Sequence, residues 1–231
     1  MIGEKFRMNK MREYWRAAKE RFGILKAGSD IIKLLFDTSS TYWAARDLSE
    51  DLPEVHAKIP IEFDLSTTTD TLDCIKSFKE RWMNNPKELE IGLNENHYFS
   101  NAKSDGKIVA ILKTGINKVY IDDYGKVLSI PPKVAFAYHI YVAPEFRKLN
   151  ISDAVFVKLM RELKDRGFKK VIGYYAPWNI RSMNLTTKIG FKKIAYIRYF
   201  KILGIIKFWF VKDLITGKKK LTFSISNLPI Y

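Results

Sequence analysis

A chain of 231 residues, 47% hydrophobic and 28% charged, carries enough apolar side chain to bury a large core, which excludes an intrinsically disordered protein. Lys and Arg number 40 against 25 Asp and Glu, a formal net charge of +15, so the surface attracts polyanions: nucleic acid, an anionic membrane face, or a phosphorylated small molecule. The single cysteine, Cys74, excludes an internal disulfide and a multi-cysteine zinc site.

Met11, Trp15, Ala18 and Phe22 recur at helical spacing among Arg12, Arg16, Lys19 and Arg21, with Gly23 as a stop. This predicts a basic amphipathic helix. A second short helix is expected from Ser29-Asp30, whose side chains cap free amides, through Ile31, Leu34 and Leu35. Residues 1–58 thus read as a basic helical extension. Two roles fit it: contact with an anionic membrane face or a partner, and docking of its apolar stripe on the main domain. No short apolar core ending in small residues marks a secretory signal. The late apolar stretch, residues 202–211, is broken by Gly204 and Lys207 and falls short of the roughly 20 residues of a spanning helix. The expectation is a cytoplasmic protein that touches a membrane only peripherally, through the amino-terminal helix.

Residues 59–212 read as the main domain, α/β in its alternation of elements. Ile61, Phe63 and Leu65 alternate as a strand, and Thr69-Asp70 opens a helix that buries Leu72, Ile75, Phe78 and Trp82, with Cys74 as a packed thiol beside them. Strands over residues 97–101 and 108–112 flank the turn Ser104-Asp105-Gly106 as a hairpin. Residues 122–132, with Gly125 and Pro131-Pro132, read as a loop. The next strand places Val134, Phe136, Tyr138, Ile140 and Val142 on one face and Ala135, Ala137, His139 and Tyr141 on the other. A helix from about Ser152 buries Val155, Phe156, Leu159, Met160 and Leu163 and stops at Gly167; a strand over residues 171–176 follows. Strand, helix and strand predict a parallel pair joined by a crossover. A third helix and two aromatic strands, residues 194–200 and 206–211, complete the domain, and residues 213–231 form a basic tail around Lys218-Lys219-Lys220.

The chemistry gathers between residues 142 and 152, where a strand runs into a helix amino terminus whose first amides have no intrahelical acceptor. The helix dipole, Arg147 and Lys148 add positive charge, so the turn suits a phosphate. The run Ile140-Tyr141-Val142-Ala143-Pro144-Glu145-Phe146-Arg147, followed by Asn150, Ile151 and Ser152, resembles the acyl-CoA signature V-x-P-x-x-R-x-x-G-x-G/A of the GNAT superfamily. Asn179, Ser182, Gly190 and Phe191 stand at the spacing of that family's second motif, N-x-x-S/A with a closing G-F.

The resemblance implies an α+β fold with a mixed sheet, flanked by helices and splayed open between the strands ending at Val142 and Ala176. Acetyl-CoA or another acyl-CoA would be the co-substrate, without a metal. Its pantetheine would bond to backbone at Ile140 and Val142, its pyrophosphate would rest near Arg147, Lys148, Asn150, Ile151 and Ser152, and Asn179 and Ser182 would hold the arm. A neutral primary amine of a small molecule, such as an amino sugar, would attack the thioester directly. Three positions depart from the family's pattern. Asn150 and Ser152 replace glycines, Thr186 stands where many relatives place a tyrosine acid, and His139 stands where acidic residues are common.

His139 is the candidate base, because an unperturbed pKa near 6.5 suits proton removal at neutral pH; a histidine hydrogen-bonded beside the sheet is the other reading. Thr186 is the candidate acid, a weak one given the pKa of a hydroxyl. Tyr138, Tyr141, Tyr174 and Trp178 are candidates for the acceptor pocket, and residues 113–132 are where acceptor loops are first expected. No carboxylate spacing around the three histidines suggests a metal site. Two further readings remain open: a GNAT-fold protein that binds acyl-CoA or a partner without turnover, and a basic surface-binding protein acting on nucleic acid or anionic lipid through its amino-terminal helices. For the main domain, nucleic acid is not the expected partner.

Overall fold

The computed structural model describes residues 36–70, 85–202 and 206–222. The chain runs β1 (Phe36–Asp47), β2 (Glu62–Thr67), α1 (Pro86–Glu95), β3 (Tyr98–Ser104), β4 (Lys107–Gly115), β5 (Lys118–Ile121), β6 (Lys126–Ser129), β7 (Val134–Val142), α2 (Ile151–Asp165), β8 (Lys170–Tyr175), α3 (Ile180–Lys188), β9 (Lys192–Ile202), β10 (Ile206–Asp213) and β11 (Lys219–Thr222). Nine strands form one mixed sheet in the order β11-β10-β9-β1-β8-β7-β4-β3-β2, and β5 and β6 pair as a separate ribbon.

Each sheet face has its own cover. On one, Leu112, Ala135, Ala137 and Val171 pack under Val155, Leu159, Met160 and Leu163 of α2, the apolar stripe expected from the sequence. On the other, Trp43, Phe136, Ile172, Ile197 and Trp209 are roofed by Val119, Tyr124, Leu128 and Ile130 from the β5–β6 ribbon and the residues around it.

The contact between β7 and β8 positions the site. The two strands are parallel, as expected, but pair only from Val134↔Lys170 to Phe136↔Ile172. Beyond that point β8 stays with β1, through Tyr42↔Tyr175, and β7 stays with β4, through Ala110↔Val142. Each strand keeps its antiparallel neighbour and loses the other, so the sheet parts between them. The helical expectation for residues 1–58 fails from Phe36 onward, since β1 is an interior strand between β8 and β9. Its Trp43 and Ala44 are buried on opposite faces, and a strand covered on both faces shows no polar alternation. The domain boundary drawn at residue 58 therefore cuts through the sheet.

Three further expectations are corrected. Residues 122–132 are not a plain loop: a short 3₁₀ turn, Asp122–Tyr124, joins β5 to β6. The basic tail contributes a strand, with Trp209↔Thr222 and Lys212↔Lys219 pairing β10 to β11. The face alternation of β7 breaks at a bulge, because Leu112 pairs with Ile140 and Lys113 with Tyr138, leaving His139 as the extra residue at φ +50°. Tyr138 thus shares the ribbon-side face with Phe136, while Ile140 and Val142 turn to the α2 side. The helix expected from Thr69-Asp70 does begin there, over residues 68–70; its continuation through Trp82, with Cys74, and the two amino-terminal helices lie outside the described residues.

Candidate active site

Where β7 and β8 part there is a cavity of about 390 Å³. β7 contributes Ala137 to Ile140, β8 and the turn after it Gly173 to Ala176 and Trp178, and α3 Asn179, Ser182 and Thr186. Of the residues singled out from the sequence, the structure brings Tyr138, His139, Ile140, Tyr174, Trp178, Asn179, Ser182 and Thr186 to this one space. Tyr141 is a correction: past the bulge it packs against Phe99 and Ile111 and does not line the cavity.

Val142, Arg147, Lys148, Asn150, Ile151 and Ser152 form the turn from β7 into α2. The Val142 carbonyl accepts Arg147 Nε at 3.1 Å, which holds that side chain back along the turn. Lys148 and Asn150 both adopt left-handed backbone, φ +66° and +62°, a conformation asparagine tolerates and lysine rarely takes. Asn150 stands at the N-cap of α2 but its side chain caps nothing. Its amide instead donates to His56 O at 2.8 Å, and its carbonyl oxygen accepts Lys188 Nζ at 3.0 Å. The side chain that replaces a glycine is thereby tied outward, and the first amides of the helix keep their need for an outside acceptor. Lys188 adds a charge beside the turn, bonded also to Asp153 Oδ2 at 2.5 Å. Ile151 is buried in the core and Ser152 Oγ donates to Asp153 at 3.1 Å, so both can serve an anion only through their main-chain N–H. A diphosphate fits this turn: uncapped amides, a helix dipole and the cations Arg147, Lys148 and Lys188 converge there.

Asn179 caps α3, its side-chain oxygen accepting Ser182 N at 3.1 Å. Thr186 gives the acid role no support. Its hydroxyl faces the carbonyls of Ser182 at 2.8 Å and Met183 at 3.0 Å, so its proton is held by the helix. Burial pushes the Tyr175 phenol above its usual range, against a smaller lowering by the Thr186 hydroxyl.

His139 projects from the bulge with Nε2 3.0 Å from Glu88 Oε1. The other oxygen of Glu88 lies 3.4 Å from Lys113 Nζ, and both partners are buried, at 4% and 1% exposure. A buried carboxylate facing an ammonium and an imidazole accepts from both, so Nε2 carries the proton shared with Glu88. Burial lowers the Lys113 pKa, against the pull of Glu88. Glu88 and Lys113 were missed in the sequence. The only local signal was Asn85-Pro86, a cap followed by a helix-starting proline, and Asn85 does cap α1 through Lys87 N at 3.0 Å.

His97, which had no context in the sequence, positions Tyr138. It is fully buried, with Nε2 2.8 Å from Lys118 O and Nδ1 3.2 Å from the Tyr138 hydroxyl. A carbonyl only accepts, so Nε2 carries the proton and Nδ1 accepts from Tyr138. Burial lowers the His97 pKa below the ordinary imidazole value of about 6.5, partly offset by the backbone at Lys118 and Ile116. The unfolded chain then takes up a proton that the folded chain refuses. The stability is complete above pH 6.5 and is lost as pH falls through the folded-state pKa, by about 1.4 kcal/mol for each pH unit crossed in that window. Urea unfolding from pH 7 to pH 5 should show this slope, and His97→Gln should flatten it; an unchanged slope in the variant would refute the assignment.

On the cavity's other side, burial, reinforced by the Asp123 carboxylate, raises the Tyr174 pKa well above the usual phenol.

The acetyltransferase (GNAT) family model matches residues 67–191, more than half of the chain. No curated protein matches the sequence. Among solved structures the chain is similar to a GCN5-related glucosamine N-acetyltransferase region of a fungal multi-domain GH3 β-N-acetylglucosaminidase, at TM-score 0.50 and 16% identity over 75% of this chain and 22% of that one. It is also similar to a Drosophila protein, at TM-score 0.48 and 11% identity over 73% and 52% of the two chains. A third is the aminoglycoside N-acetyltransferase AAC(6')-Iy in complex with CoA, at TM-score 0.42 and 17% identity over 57% and 92%. This chain spans about half the length of the Drosophila chain and about a fifth of the fungal one. At such identities the likeness is one of fold. The family match holds both sequence motifs and the whole of the parted pair β7 and β8, and on it this chain belongs to the acetyltransferase (GNAT) family.

Proposed function

We propose that the cavity between β7 and β8 takes an acyl-CoA from the α2 side and a small-molecule amine from the ribbon side, with His139 as the base that joins them. The observation that carries this reading is the bulge. The residue by which the bulge lengthens β7 is a histidine, it lines the cavity at the place where the strands part, and a buried carboxylate bonds its ring.

The neutral amine attacks the thioester carbonyl carbon, the C–N bond forms, and the carbonyl oxygen takes the negative charge. His139 removes the extra N–H proton at Nδ1, because Nε2 holds its own proton against Glu88, and the imidazolium that results faces a carboxylate that steadies it. The C–S bond then breaks and the thiolate leaves, to be protonated on release. Arg147, Lys148, Lys188 and the first amides of α2 hold the diphosphate, which fixes the thioester relative to His139. A cavity of about 390 Å³ is the size of a small-molecule site.

Calorimetric titration with acetyl-CoA, followed by thiol release across a panel of primary amines, tests this. Saturable binding and release with at least one amine are expected. A chain that binds no acyl-CoA would end the proposal, and one that binds it but turns over no amine would be the non-catalytic binder instead.

A further inference from the structure

The turn at the tip of the β5–β6 ribbon reaches the cavity through Asp123, which the chemistry above leaves unused, and that tip is anchored in place. Tyr124 is sunk into the sheet face at 1% exposure, its hydroxyl bonded to Thr41 Oγ1 and accepting Trp43 Nε1 at 3.3 Å. Its ring stacks on Tyr174 at 6.2 Å between centroids. Asn85 Nδ2 donates to Asp122 Oδ1 at 3.0 Å and ties the same tip to the cap of α1. Held between these anchors, Asp123 lines the cavity together with Tyr174. Tyr138, Tyr174 and Trp178 supply aromatic walls to that space, and Trp178 stands 82% exposed at its rim.

A carboxylate among aromatic rings is the chemistry that recognises an ammonium group: one gives charge-assisted hydrogen bonds, the others give π faces. The nitrogen that attacks the thioester must be neutral, so it is not the group that Asp123 is suited to hold. We propose that Asp123 binds a second, cationic nitrogen of the acceptor, so that the acceptor is a small molecule carrying at least two amino groups. This rests on the N-acyltransferase reading of the same cavity. It gives the ribbon a role in choosing the acceptor: residues 113–132, which carry it, bring one fixed charge to the pocket while His139 stays on β7.

The test avoids turnover. The chain is saturated with CoA, and n-butylamine or 1,4-diaminobutane is titrated in by calorimetry, for wild type, Asp123→Asn and Tyr174→Phe. Wild type should bind the diamine about tenfold more tightly than the monoamine, the step expected from one charge-assisted contact. That ratio should fall towards one in Asp123→Asn, whereas Tyr174→Phe, which leaves both the carboxylate and the aromatic wall in place, should keep it. Equal affinities in wild type, a ratio unmoved by Asp123→Asn, or no binding of either amine would each overturn the inference. Failure of CoA itself to bind would instead sink the acyltransferase reading on which it stands.

Discussion

His139→Asn is expected to lower kcat/KM for acyl transfer by about 10²- to 10⁴-fold, the span of a positioned general base, with acetyl-CoA affinity close to wild type. Asparagine is the informative replacement because residue 139 sits at φ +50°, a left-handed conformation that Asn tolerates better than most residues, so the bulge survives and only the titrating ring is lost. Glu88→Gln should take a share of the same loss. Glu88 acts through His139, so its effect should fall on kcat rather than on the KM for acetyl-CoA, and the two substitutions together should cost little more than His139→Asn alone. The competing account makes the Glu88 carboxylate a purely structural partner of Lys113. It predicts a lower Tm with kcat per folded molecule unchanged, and the pair Glu88→Gln with Lys113→Met, which removes both buried charges together, then restores Tm without changing kcat. Steady-state kinetics and thermal unfolding on the same preparations separate these outcomes. Full activity in His139→Asn would remove the base from the scheme.

The ease of reading the β7-α2-β8 unit and the difficulty of reading its surroundings have one cause. Along that unit each element buries an apolar stripe at its own period, and the two motifs fall on the turns between elements, so sequence spacing and spatial order coincide. The bulge is different. Tyr138, His139 and Ile140 each suit either face of a strand, so nothing local shows that one of them is extra; the pairing with Leu112 and Lys113 decides it. The same holds for α1, whose buried positions are Glu88 and Gly92. A carboxylate and a glycine four residues apart make no apolar stripe, and the reason for the carboxylate lies on β4 and β7, which no periodicity connects to it. β1 was hidden by its neighbours: a basic segment of helical spacing precedes it, and a strand buried on both faces carries no alternation. Tyr141 is drawn to the site by its place near the expected opening and Thr186 by its position in the family's pattern, and both are turned away from the proposed chemistry by local geometry, one by the bulge and the other by the carbonyls of its own helix.

Gly173→Ala is the second substitution expected to have a large effect, and it tests the slot rather than the base. A Cβ built at Gly173 would lie 2.8 Å from the carbonyl oxygen of Ala137, closer than real Cβ atoms come, and the atom it meets is backbone that cannot rotate aside. Gly173 is one residue beyond Ile172, the last residue of β8 paired with β7, and it lines the cavity; it stands at the apex of the wedge from which the strands diverge. An added methyl must push β7 away or slide β8 along β1, an overpacking cost of about 1–3 kcal/mol, read as a fall in Tm of roughly 2–4 °C per kcal/mol in a chain of this size. It also narrows the inner end of the opening, so acetyl-CoA affinity should drop together with stability. Gly106→Ala is the control. It places a Cβ with nothing within 4 Å, at φ +74° in the turn between β3 and β4, so it carries a backbone cost of about 1 kcal/mol without touching the slot. If Gly173→Ala lost stability but bound acetyl-CoA as tightly as Gly106→Ala, the pantetheine arm would have to lie elsewhere, and the parting of β7 from β8 would be a feature of the sheet without a part in binding.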